Sequence, residues 1–251
     1  MVRYFPHHVF VSGDPFGATV AMMEKVTDPA RRRRIEEWLE KARKASVSLW
    51  RPNANAYEQR VPVLLNAIAR AGVGTVLLTS LKRSIPVWIV PYEGDGGNAI
   101  TGQISSELDQ GVRIRYSPEH WAIGTGKCAR YYPGYGPVET LFHELVHASR
   151  FTNFGFGGMN KSALQDMQDY EEFLAVMMTN VLRSEWRAKK FARDYTTGKN
   201  ADQSQLEQYL RSPVYLEALE YFLADPFVKQ VARMPMAFNP FRDLGRLKST
   251  K

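Results

Sequence analysis

Cysteine is all but missing from the 251-residue chain: Cys128 stands alone, so no intrachain disulfide can form and a disulfide scaffold is excluded. Histidine is scarce too, with five in all and none after His147. There is no long apolar run. The most apolar stretch, 61–81, is interrupted by Asn66 and Arg70 and contains Pro62, Gly72 and Gly74, too polar and too broken to span a bilayer. The opening MVRYFPHHVF lacks a charged segment followed by an apolar one, so no cleaved leader is expected. A soluble protein with no membrane partner is expected. Internal repeats and low-complexity segments are also absent, which excludes fibrous and solenoid architectures.

What remains is an ordinary globular composition, 44% hydrophobic and 24% charged. Lys+Arg number 33 against 26 Asp+Glu, a formal net charge of +7. A basic surface favours acidic partners of any kind without selecting one.

Along the chain, residues 1–17 read as an irregular arm carrying Pro6, Gly13, Pro15 and Gly17. Residues 28–46 turn helical, with Asp28 as cap, Pro29 in the first turn and Ile35, Trp38 and Leu39 on one face. Further helices are expected over 61–71, with Pro62 in its first turn, and over 74–82. The run 86–91 reads as a buried strand, 93–98 as a loop, and 111–117 as a half-exposed strand by its alternation. A turn-rich segment, 124–137, is followed by helices over 137–150 and 164–192. The tail 204–234 is helical again, broken at Pro213 and Pro226. This pattern is α+β, mostly helical with a small sheet ahead of the 137–150 helix. The reading is one domain over 1–251: a helical N-terminal extension (1–72), a core (73–192) and a helical C-terminal extension (193–251).

The chemistry sits in PVETLFHELVHASR, residues 137–150. His143 and His147 are four residues apart, so on a helix they project from one face a turn apart and can bind one Zn²⁺ together. Glu144 lies beside them and can reach a metal-associated water without ligating the metal. An HExxH match arises by chance in about one chain of this length in a hundred. Against chance stand the scarcity of histidine and the otherwise apolar helix, where unpartnered imidazoles are costly. A catalytic zinc needs a third protein ligand. No histidine or cysteine follows His147, which leaves a carboxylate on a nearby helix, and Glu171 and Glu172 offer two adjacent ones.

HELVH followed by a helical Glu-Glu-Phe-Leu-Ala resembles the gluzincin zinc metallopeptidases. The resemblance implies a zincin-like fold and places the third ligand at Glu172, with the small Ala175 three residues later and Thr179 near the same face. Glu171 would then lie to the side, orienting a histidine or meeting solvent. The wider pattern, a strand ending in Tyr116, a Gly-rich turn, HELVHA and then EEFLAVMMTNVLRSE, resembles bacterial effector and toxin metallopeptidases of the NleD-like and type VI or Rhs-associated kinds. It covers roughly residues 73–187 and is firm over the two helical motifs.

The resemblance implies zinc-dependent hydrolysis of a protein or peptide substrate, with Glu144 as general base. It also implies secretion into a target cell without a signal peptide; otherwise the protein is expected in the cytoplasm. Arg183 and Tyr170 are the leading candidates to stabilise the transition state, with Tyr131, Tyr132 and Tyr135 behind them. The strand 111–117 is the expected edge for an extended substrate.

Other features carry less. Gly124-Thr-Gly-Lys127 fails as a phosphate loop, because Trp121 stands where a glycine is needed and Cys128 replaces Ser or Thr. The run Arg31–Arg34 is interleaved downstream with Glu36, Glu37 and Glu40 and reads as a solvated helix face, so nucleic acid is not an expected partner. His7 and His8 read as incidental, and Cys128 with His120 as a poor nucleophile–base pair. The competing reading of the whole chain is a non-enzymatic basic helical module that binds nucleic acid or an acidic protein. Nothing in the sequence sets the oligomeric state.

Overall fold

The computed structural model describes residues 2–4, 8–45, 53–81, 84–92, 99–103, 111–118, 136–155, 158–193 and 199–249. Its centre is a five-stranded sheet built from β1 (Val2–Tyr4), β2 (Val9–Val11), β3 (Val87–Val90), β4 (Ala99–Gln103) and β5 (Val112–Tyr116), in the order β1-β2-β3-β5-β4. The three inner strands run parallel, and β1 and β4 close the two edges antiparallel. Every residue of β3 is buried, which is why its sequence shows no alternation.

Two expectations change here. The arm at 1–17 supplies two strands and the start of α1 (Gly17–Met23). Three-residue strands are too short to show a period, and β2 is paired to β3 from far along the chain. The 111–117 strand, expected at an edge, lies inside the sheet, with β4 pairing on its outer side. β4 was not expected at all, since Ala99-Ile-Thr-Gly-Gln103 has neither a β-rich run nor clean alternation.

Helix α1 covers the outer face of the sheet, where Ala18 and Met22 pack on Trp88. α2 (Pro29–Ala45) follows as anticipated. α3 (Ala54–Arg70) begins seven residues earlier than expected, because the Asn53 side chain caps it by accepting from Ala56 N at 3.1 Å. Pro62 therefore lies inside the helix; buried Tyr57, Val61, Leu65 and Ile68 on one stripe hold it against the core. α4 (Gly72–Ser80) turns off α3 by 110°. Gly74 makes that corner: a Cβ there would sit 1.9 Å from the Ile68 carbonyl oxygen.

α5 (Pro137–Phe154) carries HELVH through the core and is buried continuously from Thr140 to Thr152. Pro137 opens it, and Glu139 accepts from Gly136 N at 2.7 Å. Two tyrosines fix where it starts. Tyr57 donates to the Tyr116 carbonyl at 2.8 Å, and Tyr116 donates to the Pro137 carbonyl at 2.7 Å. Gly155, at φ +68°, ends it in a conformation that suits glycine.

The single helix expected over 164–192 is divided. A short 3₁₀ turn at Gln165–Met167 precedes α6 (Tyr170–Glu185), because Gln168 takes a positive φ and Asp169 caps a new start. After α6 come a two-stranded pair, β6 (Phe191–Ala192) and β7 (Asn200–Ala201), and then α7 (Gln203–Leu210), α8 (Pro213–Phe222), α9 (Pro226–Ala232) and α10 (Leu244–Ser249). Pro213 and Pro226 open α8 and α9, as their N-terminal preference predicts. One apolar core runs from Val9 to Leu247 and draws on the segments before 73 and after 192. No single helix among the described residues is long and apolar enough to cross a membrane. The expected 93–98 loop and all of the 124–137 turn except Gly136 and Pro137 lie outside the described residues.

Candidate metal centre

α5 and α6 pack side by side, and their contact brings three ligand-bearing side chains to one point. His143 Nε2 and His147 Nε2 are 3.2 Å apart. Glu172 places Oε2 3.1 Å from His143 Nε2 and Oε1 3.4 Å from His147 Nε2. All three ligand atoms fall within 4.8 Å of one another, the one such cluster of ligand residues among the described residues. His143 is the deepest at 1% exposure, and Glu172, at 13%, lies nearest solvent.

The α6 cap sets this geometry. Asp169 Oδ1 accepts from Glu172 N at 2.9 Å, while its Oδ2 pairs with Lys161 at 3.2 Å. Adjacent helical residues point about 100° apart, so with Glu172 facing the histidines Glu171 must face elsewhere. It was expected at the side of the site, orienting a histidine or in solvent. Instead it is wholly buried and takes Arg150 of α5 in a two-pronged pair, with both contacts at 3.0 Å. Arg150 also reaches Asp225, the α9 cap, at 2.8 Å. Its guanidinium lies 4.3 Å from the Phe154 ring centroid and 5.3 Å from that of Phe222. Glu171 Oε1 further accepts from Asn160 N at 2.9 Å. One buried cation thus ties the two ligand helices to each other and to the C-terminal helices.

Glu144 is 3% exposed and is met by Thr101 of β4. Tyr170 starts α6 two residues before Glu172, about 200° around the helix from it. Its ring packs edge-on against Tyr221, with centroids 5.7 Å apart. Burial and the nearby Glu217 charge push its phenol pKa up. Arg183 stands three turns beyond Glu172, about 16 Å of helix rise away. Helix direction and rise thus set both apart from Glu172 along α6. Tyr131, Tyr132, Tyr135, His7, His120 and Cys128 lie outside the described residues, and His8 is not part of the cluster. On α2 the basic run is exposed and laced with i,i+4 pairs, Arg32–Glu36 and Arg33–Glu37.

Sequence reasoning missed Thr101, Lys161, Arg150 and Asp225. Only Arg150 left a trace, as a lone cation three residues after His147, on the same helical stripe.

Without a metal the three ligands form a charge cluster. Burial opposes a charge on His147, but Glu172, helped by Glu144, outweighs it and pushes the imidazole pKa up to about 9. Burial also opposes the Glu172 charge, yet the two histidines hold its carboxyl well below the ordinary value. Because the His147 pKa is raised on folding from 6.5 and that of Glu172 is lowered from 4.5, this pair stabilises the metal-free protein fully between about pH 4.5 and 6.5; the support is lost as pH rises through about 9 and, in acid, as pH falls through the lowered Glu172 pKa. A metal ion held by these residues would have to displace the same proton. Apparent zinc affinity is therefore expected to rise about tenfold per pH unit between pH 7 and 9, with release of a proton. Calorimetric titrations in buffers of different ionisation enthalpy measure this, and a pH-independent affinity contradicts it.

The donor chemistry fits zinc: two neutral imidazole nitrogens and one carboxylate, converging from two rigid helices, are a set this ion takes. No family model, curated protein or solved structure matches the chain.

Proposed function

We propose that this protein is a zinc-dependent endopeptidase in which His143, His147 and Glu172 hold the metal and Glu144 is the general base. The carrying observation is the convergence of one donor atom from each residue to within 4.8 Å, with the two imidazole nitrogens 3.2 Å apart. Donors about 2.0–2.1 Å from a tetrahedral zinc lie about 3.3 Å from one another. The two imidazole nitrogens stand at that separation and the Glu172 carboxylate meets both, so packing of α5 on α6 supports a three-residue site with a fourth position left for water or substrate.

When bound, zinc polarises the scissile carbonyl and makes an associated water more acidic. Glu144 accepts the proton of the attacking water and passes it to the leaving amine, so one carboxylate serves as base and then acid. Burial of α5 keeps bulk water from competing for that carboxylate. β4 pairs with β5 on one side only among the described strands. Its other edge offers main-chain groups to an extended peptide, the part first assigned to 111–117. The likeness of both helical motifs to effector and toxin peptidases extends the proposal to a protein that acts inside a target cell, on a protein substrate there.

The test pairs metal content with cleavage. The purified chain is expected to hold about one zinc, and Glu172→Ala to weaken zinc binding at least a hundredfold, more than loss of an outer partner does. A proteome-wide cleavage screen with the loaded protein then finds the substrate. Zinc uptake that is indifferent to Glu172, or a loaded protein that cuts nothing, overturns the proposal.

A further inference from the structure

The Thr101 side chain of β4 reaches the HELVH helix. Its Oγ1 lies 2.6 Å from Glu144 Oε2 and 3.1 Å from the backbone carbonyl oxygen of the same residue. A hydroxyl has one proton, so this is a shared, three-centre donation weighted toward the carboxylate. The geometry is specific: one group from the sheet grips Glu144 at its head and at its own main chain. A glutamate side chain turns about three bonds, and the contact at Oε2 restrains its carboxylate.

We infer that Thr101 is a positioning residue, holding the Glu144 carboxylate where it meets the water beside His143, His147 and Glu172. The inference rests on the hydrolase reading above and adds a residue to it. Threonine suits the task, since its β-branch stiffens χ1 on a strand and aims the hydroxyl. Thr101 is opposite Ile114 in the β4–β5 register, on the face turned to the core. β4 is also the strand offered to the substrate backbone. Substrate docking and base placement therefore share one strand, with the base already oriented before substrate arrives.

Thr101→Val removes the hydroxyl at nearly constant shape, and Thr101→Ser keeps it. In the zinc-loaded protein, Thr101→Val is expected to lower kcat ten- to a hundredfold with KM within about twofold and zinc content unchanged. Thr101→Ser should stay within about threefold of the parent. A second measurement needs no activity. In the metal-free protein, Thr101→Val should lower the melting temperature by about 4 °C in the parent and far less in a Glu144→Leu background, where no carboxylate is left unsatisfied. Additive melting shifts mean that the contact is not made, and they overturn the inference. Coupled shifts with kcat of Thr101→Val within about threefold of the parent overturn the positioning role while the hydrolase reading stands. Coupled shifts in a loaded parent that hydrolyses no peptide remove the hydrolase reading, and the positioning role with it.

Discussion

Glu144→Gln is expected to lower turnover by about a hundred- to ten-thousandfold while zinc stays bound at full occupancy. Glutamine matches glutamate in shape and still offers an oxygen to Thr101, so the helix and its contact with β4 survive. It cannot accept the proton of an attacking water. Glu144 contributes no atom to the cluster of His143, His147 and Glu172, so the metal has no reason to leave. The two readouts are kcat on a cleaved peptide and zinc per chain by elemental analysis. Retention of activity within about tenfold of the parent removes Glu144 as the base. Loss of zinc in the variant makes it a ligand.

The second large effect concerns stability. Arg150 is 4% exposed and its three partner contacts all run to buried carboxylates, Glu171 at 0% and Asp225 at 7%. Arg150→Met keeps the apolar stem and leaves two carboxylates without their cation. Breaking a buried ion pair from one side costs about 3–5 kcal/mol, against a total stability of about 5–15 kcal/mol for a domain. At this chain length that is a fall in melting temperature of about 10–15 °C. Asp225 still caps α9 through Phe227 N at 2.7 Å, so that helix should persist locally. A variant that also carries Glu171→Leu and Asp225→Asn has no orphaned charge and should recover much of the loss. Calorimetric melting of the two variants decides the matter: a drop below about 3 °C for Arg150→Met means that the carboxylates find other partners.

The legible parts of this protein were those whose signals are local. HELVH announces itself by spacing, β3 by an unbroken apolar run, and α2, α8 and α9 by a proline in the first turn. Strands β1, β2 and β4 were not legible: three residues carry no period in β1 and β2, β2 pairs with β3 from far along the chain, and the five residues of β4 have no clean alternation. The rotation of α6 was half legible. The 100° step says that only one of Glu171 and Glu172 can face the histidines, but which one depends on Arg150 and Asp225, and their convergence is tertiary. Thr101 was illegible for the same reason: a threonine 43 residues before Glu144 has no sequence mark that ties it there.

The anchoring of Arg150 on Asp225 bears on the order in which the molecule matures. Synthesis runs from the amino end, so His143, His147 and Glu172 leave the ribosome before Asp225 does. Until that residue arrives, the buried cation lacks one of its two carboxylate partners and the ligand helices lack their brace against the tail. A nascent chain would thus carry every ligand and still hold them loosely. In the proposed peptidase, the metal donors would be held firmly only once the helices that carry Asp225 have docked.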